Sequence, residues 1–286
     1  MAQIIASGIA MGCIYALVGL AFILIYNASG GLNFSQGEFV MLGAFALVTT
    51  TAIMPYWIAV IVSAASIGVL SWVFQRVLFY PLKDRSYLHF VIVTIGFSIL
   101  ARNLAIIIWG PNPLKALPMT SVDVVTLGSV AMSPENLAII AFTAIVLGLQ
   151  YVLFFHTDLG RRLRATAQNS QMAQYMGIRP RRMIGITFIM SGAIAGFAGV
   201  LLAPIFLVDS DMGGAVLLKS FIAVVIGGFG SIPGVVIGGI GIGLIEILAA
   251  VYVSSVYKDA ICIAILILFL IAFPRGILGE AIKERG

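Results

Sequence analysis

Seven polar side chains that could bind a cargo or form ion pairs stand inside stretches that are otherwise apolar. They are Asn33, Ser35, Gln36, Glu38, Arg102, Asn103 and Glu246. Ionisable groups at membrane depth are costly and mark a transport path or a buried pair by default. We predict these residues as candidates for lining a translocation pathway. The alternative for each is a structural group that is satisfied inside the protein or reaches toward an interface.

Arg102 is the one cation among these seven residues. A guanidinium in an apolar setting needs a carboxylate partner, because a buried charge without a partner is strongly destabilising. The sequence offers Glu38 and Glu246. We predict that Arg102 pairs with one of them and holds two helices together, and the sequence leaves the choice open.

The motifs of several enzyme classes do not occur in the sequence. It has no G-x-x-x-x-G-K-[ST] pattern and no Gly-Lys pair, so it lacks the P-loop that binds ATP phosphates. H-E-x-x-H and G-x-S-x-G do not occur either. Cys13 and Cys262 lack the spacing of a metal site or a disulfide framework. We predict no catalytic residue, no metal site and no cofactor held by this chain.

The segment GRRLRATAQNSQMAQYMGIRPRRM, residues 160–183, is basic and rich in amides, whereas both flanks are apolar. It contains six of the sixteen Lys and Arg residues. No Gly or Pro occurs from Arg164 to Met176, which predicts one helix that ends at Gly177. A lipid anchor would need only the arginines, whereas a helix between them favours docking into a groove on a partner.

The elements that carry these residues must be membrane-spanning helices. Hydrophobic residues make up 61% of the 286 residues and charged residues 9%, with a mean hydropathy of +1.14, whereas soluble domains are about 25% charged. Several runs approach the roughly 20 apolar residues that cross a bilayer as a helix. We predict an all-α, polytopic protein in which residues 1–286 form one transmembrane domain.

The net charge of +5 indicates orientation in a membrane rather than binding to nucleic acid. Twelve of the sixteen Lys and Arg residues fall in three clusters, at 76–85, 161–182 and 275–285. Positive residues gather in cytoplasmic loops. We therefore predict that all three clusters, and with them the loop at 156–182, face the cytoplasm.

These constraints predict about eight or nine spans. The predicted spans cover residues 4–26, 37–54, 56–75, 88–109, 135–155, 183–206, 216–229, 234–252 and 260–273. Polar or helix-breaking residues interrupt them near 27–39 and 227–234, and such backbone must be buried in protein or face a watery cavity. Residues 217–253 form either two passes or one broken, tilted helix.

Glycine spacing adds two expectations. Gly30, Gly31 and Gly37 match Gly227, Gly228 and Gly234 at a constant offset, which is a weak indication of an internal repeat. Glycines also recur four residues apart, which lets helix backbones approach closely in lipid. These close pairs are Gly8/Gly12, Gly192/Gly196, Gly234/Gly238 and Gly239/Gly243.

Three stretches resemble one family, and they occur in its order along nearly the whole chain. GRRLRATAQNSQMAQYMGI resembles the cytoplasmic coupling loop of the permeases of ATP-binding-cassette importers, and most closely the R-A-x-A-Q-N…A…G-I pattern of branched-chain amino acid permeases. GLNFSQGEFVMLGAF, residues 31–45, and LLKSFIAVVIGGFGSIPGVVIGGIGIGLIE, residues 217–246, resemble two further segments of that family. The chain is somewhat short for the family.

The resemblance implies a function and partners. The chain would be a permease subunit in the inner (plasma) membrane of a prokaryote. It would pair with a second permease, with two cytoplasmic ATPases that bind ATP and Mg²⁺, and with an extracytoplasmic binding protein that delivers Leu, Ile or Val. The coupling residues that it implies are Arg164, Ala165, Ala167, Gln168, Asn169, Ala173, Gly177 and Ile178.

Other functions stay open at this point. Related permeases carry urea, other amides or further small metabolites. A secondary transporter driven by ions could use the broken segments as its site, and it would transport without ATPases. A membrane enzyme or assembly factor would need a catalytic cluster that the sequence does not offer.

Overall fold

The computed structural model describes residues 1–82, 85–120, 125–127, 130–273 and 276–278. The regular elements of these residues are helices apart from one pair of short antiparallel strands, which agrees with the predicted all-α class. The helices are α1 (Ala2–Ser29), α2 (Gln36–Thr51), α3 (Tyr56–Phe74), α4 (Tyr87–Trp109), α5 (Pro134–His156), α6 (Asp158–Gln168), α7 (Ser170–Tyr175), α8 (Pro180–Leu202), α9 (Met212–Gly227), α10 (Ile232–Tyr252) and α11 (Lys258–Ala272). The hairpin joins β1 (Val125–Leu127) to β2 (Val130–Met132).

Six segments of the described chain are long and apolar enough to cross a bilayer. They are Gln3–Ser29, Tyr56–Leu82, Leu88–Trp109, Pro134–His156, Pro180–Leu202 and Ile232–Tyr252. The other predicted spans correspond to α2, α9 and α11, which have 16, 16 and 15 residues. At 1.5 Å per residue each is about 24 Å long or less, so none of the three crosses a core of about 30 Å unaided.

Helix α1 lies at the centre of the bundle, and α10 packs on it antiparallel at very short range. Ile14, Leu17 and Leu20 of α1 are fully buried. A Cβ added to Gly12 would lie 2.6 Å from the Cα of Ile240, and one on Gly243 would meet the backbone of Gly12. The predicted role of the spaced glycines in close packing is confirmed here.

Helices α9 and α10 form a hairpin, so the alternative of one broken helix for residues 217–253 is wrong. The chain turns between Gly227 and Ile232, where Gly228 has φ 101°. Gly227 then packs on Gly234, and farther along Ala223 packs on Gly238, which is the pairing of antiparallel helices. The backbone conformation does not support the internal repeat that the glycine offset suggested. The offset pairs Gly228, which has a positive φ, with Gly31, whereas the glycine with a positive φ in the first break is Gly30.

Helices α4, α5 and α11 lie at the periphery of this single chain. Long apolar side chains such as Ile107, Leu149 and Ile271 are exposed there, as expected for surfaces that face lipid or another subunit. Leu114 and Val208 form an isolated bridge with N···O distances of 2.9 and 2.8 Å. This bridge places the segments before α5 and before α9 at one end of the bundle.

Candidate functional site

The first break in the helices lies between α1 and α2. Gly30 takes the left-handed conformation, with φ 71°, and ends α1. Asn33 then folds back on its own segment, because its Oδ1 accepts hydrogen bonds from the Ser35 amide at 3.1 Å and the Ser35 hydroxyl at 2.5 Å. Gln36 begins α2, and its side-chain amide donates to the Ser191 hydroxyl of α8 at 3.1 Å.

Three of the predicted pathway residues are therefore held inside the protein. Asn33, Ser35 and Gln36 are each 1% exposed or less and bond to one another or to α8. Ser191 in turn donates to the Ala21 carbonyl of α1 at 2.7 Å. In this conformation these groups fix the break to α1 and α8 and have no surface open to a cargo.

Glu38, one turn into α2, belongs to a different set of contacts that reaches α4 and the segment before α9. Its Oε1 accepts from Nη2 of Arg102 at 3.2 Å and from the Ser98 hydroxyl at 2.5 Å. Nη1 of Arg102 lies 3.0 Å from Oδ1 of Asp211. Of the two glutamates that the sequence offered to Arg102, the structure therefore selects Glu38.

The accessibility of these three charges differs steeply. The Glu38 side chain is 2% exposed, that of Arg102 37%, and that of Asp211 79%. Asn103 points to the outside of α4 and donates to the Ile99 carbonyl at 2.8 Å. Exposed polar groups on a helix that otherwise presents Ile and Leu indicate that this stretch of α4 faces a polar surface rather than lipid.

Glu246 belongs to a second charged cluster, on α1, α9, α10 and α11. It lies 2.5 Å from Lys219 and 3.2 Å from Lys258, and it accepts from the Tyr15 hydroxyl at 2.5 Å. Asp259 adds a second carboxylate 3.0 Å from Lys219. Glu246 is thus balanced by cations within the chain. The sequence analysis did not select Lys219. An ionisable side chain inside an apolar run is a candidate by default, and this reasoning applies to Lys219 in residues 217–227 as much as to Glu246.

The two breaks meet at an aromatic cleft of about 270 Å³. Its walls are Tyr26, Gly30 and Leu32 from the first break and Phe229 from the second. Phe221 of α9 packs against Phe229 with ring centroids 6.1 Å apart. Segments that are almost 200 residues apart in sequence therefore form one lining.

The basic segment does not form the single helix predicted for Arg164–Met176. Helix α6 begins at Asp158, where the Thr157 hydroxyl accepts from the Gly160 amide at 3.1 Å. It ends at Asn169, whose φ of −155° is extended. Asn169 then caps α7 by accepting from the Met172 amide at 2.9 Å. An asparagine favours such a cap over a helix interior, and that preference could have located the break.

The predicted end of the helix at Gly177 is confirmed. Gly177 has φ 78°, its amide donates to the Gln174 carbonyl, and the Ile178 amide donates to Ala173, both at 3.0 Å. This is the Schellman arrangement that glycine makes possible. A small basic cleft lies at this turn, lined by Gln174, Gly177, Ile178, Arg179, Pro180, Arg181 and Arg182.

The predicted coupling residues separate into inward and outward groups. Ala173 is 4% exposed and packs against the protein itself, whereas Gln168 and Asn169 are exposed and Ala165, Ala167 and Ile178 are half-buried. Arg164 lies over the Phe155 ring at 4.8 Å, which ties α6 to α5.

Three large apolar side chains are exposed on α7 and at its C-terminal end. Met172, Tyr175 and Met176 are 62%, 85% and 83% exposed. Large apolar side chains in contact with water are unfavourable and mark a docking surface when they cluster. These three residues are termed the α7 surface below, and Tyr175 was not singled out by sequence.

The helices of spanning length define the class, a multi-pass membrane protein, and comparison with known proteins identifies it as a permease. Residues 4–270 match the family described as the permease component of the branched-chain amino acid transport system, and the chain belongs to this family. It is 32% identical to the high-affinity branched-chain amino acid transport system permease protein LivH of Salmonella typhimurium, over 98% of this chain and 96% of that one. It is 31% identical to the corresponding protein BraD of Pseudomonas aeruginosa, over 99% and 97%.

A solved structure shares the fold. The chain superposes on PsaBC from Streptococcus pneumoniae, solved in complex with Fab, with a TM-score of 0.53 over 94% of this chain and 90% of that one. At 13% sequence identity this likeness concerns the fold alone.

Proposed function

We infer that this protein is one of two permease subunits of an importer for branched-chain amino acids that is driven by ATP hydrolysis on partner subunits. The observation that carries this inference is the match of residues 4–270 to the permease family. The relatives named for that function align with this chain over almost their full length. The chain itself supplies no P-loop, so partner ATPases provide the energy. The bacterial relatives support a location in an inner membrane.

The α7 surface supports the partnership with an ATPase. Helices that dock into a groove on a partner present an apolar face, and the α7 surface offers such a face within the basic loop. Thr157, Asn169 and Gly177 fix the ends of α6 and α7, so the patch is presented rigidly. A rigid connection is required if ATPase closure is to move α5 and α8, which flank the loop.

A second permease and an external binding protein complete the proposal. The polar stretch of α4 with Arg102, Asn103 and the neighbouring Asp211 needs a polar counterpart, and a translocation pathway between two permeases offers one. The binding protein provides affinity, so the pathway needs only weak sites. The alternative cargo is another small metabolite, and the alternative mechanism is ion coupling.

The first test is to purify the tagged chain from its native membrane and identify what accompanies it. Two ATPases and a second permease are expected, and the reconstituted complex should take up leucine with ATP and the loaded binding protein. A chain that purifies alone and transports with an ion gradient would contradict the proposal.

Variants of the α7 surface test the coupling. Met176→Glu and Tyr175→Glu should reduce uptake on the order of tenfold or more, because a charge is placed in a desolvated interface, and the loaded binding protein should no longer stimulate ATP hydrolysis. Gln171→Glu adds the same charge to an exposed site on the same helix and serves as the control. Normal uptake by both α7 surface variants would show that the loop is an anchor only.

A further inference from the structure

Arg102 lies between two carboxylates in contrasting environments. Nη2 faces Glu38, which is 2% exposed, and Nη1 faces Asp211, which is 79% exposed. An ion pair with an exposed carboxylate is weak and exchanges easily, whereas a pair with a buried carboxylate is fixed by the cost of separating it. Asp211 is therefore the replaceable partner of the guanidinium, and Glu38 is the permanent one.

The Glu38 carboxylate has one oxygen that accepts no hydrogen bond from the described residues. Ser98 and Arg102 both donate to Oε1, whereas Oε2 is buried and has no hydrogen-bond partner among the described residues. An ionised carboxylate accepts on both oxygens, and a buried acceptor without a donor is costly. A donor that approaches Oε2, above all a cationic one, relieves that cost.

We propose that Arg102 and Glu38 form a binding site for the zwitterionic head of an α-amino acid. The carboxylate of the cargo replaces Asp211 at Nη1 of Arg102, and its ammonium group donates to Oε2 of Glu38. Because Oε2 is buried in this conformation, the guanidinium has to turn as Asp211 leaves for the ammonium group to reach it. One fixed cation and one fixed anion in contact match the two charges that every α-amino acid carries on adjacent groups. The proposal rests on the proposed function in one respect, that the cargo is an amino acid.

The two contacts together favour a zwitterion over a singly charged molecule. A carboxylate alone takes the place of Asp211 at Nη1 of Arg102 but leaves Oε2 of Glu38 without a donor, and an amine alone donates to Oε2 but leaves Nη1 with Asp211. A zwitterion makes both contacts, and with Asp211 displaced toward water it adds no net charge to the neutral pair of Arg102 and Glu38.

Gly214, in the first turn of α9, keeps the guanidinium accessible. A Cβ at this position would lie 3.3 Å from Nη2 of Arg102, so a larger side chain there would crowd the guanidinium and restrict its movement. Arg102 stands seven residues before the end of α4 at Trp109, about 10 Å along the helix. The site is thus nearer to the Trp109 end of α4, which is the extracytoplasmic end in the predicted orientation.

The site recognises the head of the amino acid and not its side chain. Leu, Ile and Val share the head group and differ only in the apolar part, so one site of this kind serves all three. The weak, exchangeable pair with Asp211 suits a pathway that must also release its cargo.

The test uses the complete complex of this chain and its native partner subunits in nanodiscs, without the binding protein. Binding of radiolabelled leucine is measured against three competitors: leucine, leucinol, which lacks the carboxylate, and isocaproate, which lacks the ammonium group. Leucinol and isocaproate should each compete about tenfold or more weakly than leucine. Equal competition by either one, or no leucine binding at concentrations up to tens of millimolar, overturns the site.

Variants assign each charge to its partner. Glu38→Gln should abolish the discrimination against isocaproate but keep that against leucinol, and Arg102→Gln should do the reverse. If the two residues had only a structural role, binding of all three competitors would weaken together, which contradicts the proposal.

Because either variant can fail to assemble, Asp211→Asn at the exposed position is the third test. It should raise leucine affinity a few-fold, since the internal competitor is weakened, and a fall in affinity is evidence against the site.

The controls separate this proposal from the proposed function. Asp209→Asn changes a neighbouring carboxylate whose Oδ1 accepts from the amides of Asp211 and Met212. The side-chain oxygen of asparagine can keep both bonds, so the competition profile of this variant should match the wild type. Leucine uptake by the wild-type complex with binding protein and ATP is measured in parallel. If the complex takes up leucine but does not discriminate between the competitors, only the zwitterion site is contradicted. If ATP-driven uptake does not occur, the proposed function itself is contradicted.

Discussion

At the scale of single residues, the charged groups within the spans fall into two clusters with different properties. Arg102 reaches from buried Glu38 to exposed Asp211, so part of its cluster is open. Glu246 and Lys219 have side chains that are each 9% exposed, and Lys258 and Asp259 surround them. The first cluster is accessible from outside the chain, whereas the second joins four helices.

Removing one charge from the second cluster should destabilise the protein unequally. Glu246→Leu leaves Lys219 with Asp259 alone, and it also removes the carboxylate partner of Lys258. Lys219→Met still leaves Glu246 with Lys258 and Tyr15. We expect Glu246→Leu to approach the cost of about 3–5 kcal/mol for an uncompensated buried charge, with Lys219→Met clearly milder. The unfolding temperatures of the detergent-solubilised variants measure which substitution destabilises the protein more.

The half-exposed Lys258 provides the control for that experiment. Lys258→Met should shift the unfolding temperature least, because water partly solvates its ammonium group. The double variant of Glu246→Leu and Lys219→Met should recover part of the loss, since no buried charge is then left without its partner. An equal shift in all three single variants would show that the cluster contributes nothing specific.

At the scale of elements, close glycine contacts decide how the helices pair. Gly12 of α1 meets α10 backbone to backbone, and Gly199 of α8 packs on the carbonyl of Val40 in α2. Such contacts replace the hydrophobic effect, which does not drive association between helices in lipid. The pairing therefore depends on the positions of small residues and not on the hydropathy of each helix.

Two glycines of α10 allow a matched test of this dependence. Gly243→Ala places a Cβ against the backbone of Gly12, whereas Gly241→Ala meets nothing within 4 Å. Overpacking of this kind costs about 1–3 kcal/mol, so the first variant should lower the unfolding temperature of the detergent-solubilised protein. The second should leave it unchanged or raise it slightly. A similar loss in both variants would assign the effect to helix α10 itself rather than to its contact with α1.

At the scale of the whole molecule, hydropathy was sufficient to predict a polytopic helical protein and the approximate positions of its helices of spanning length. It also predicted spans at α2, α9 and α11, which are too short to cross the bilayer unaided. It was not sufficient to predict partners, because contacts such as Arg102 with Glu38 depend on which helices become neighbours. The interruption of the basic loop at Asn169 is local and could be read from capping preference. The hairpin of α9 and α10 needed the antiparallel contact of Gly227 with Gly234, which no single segment reveals.

The central position of α1 has a consequence for biosynthesis. Its partner α10 begins about 200 residues after α1 ends, which at roughly 5–20 residues per second corresponds to a wait of ~10–40 s on the ribosome. During that time the glycine face of α1 is in contact with lipid or with a chaperone of membrane insertion.

Nascent chains that stop before α10 should therefore be recognised as unfinished. In a pulse-chase experiment, a chain that ends at residue 209 should be degraded several-fold faster than one that ends at residue 255, which retains α10 and lacks only α11. Equal half-lives would indicate that α1 finds a temporary partner earlier in the chain. The order of synthesis thus makes the first helix to enter the membrane one of the last to reach its final neighbours.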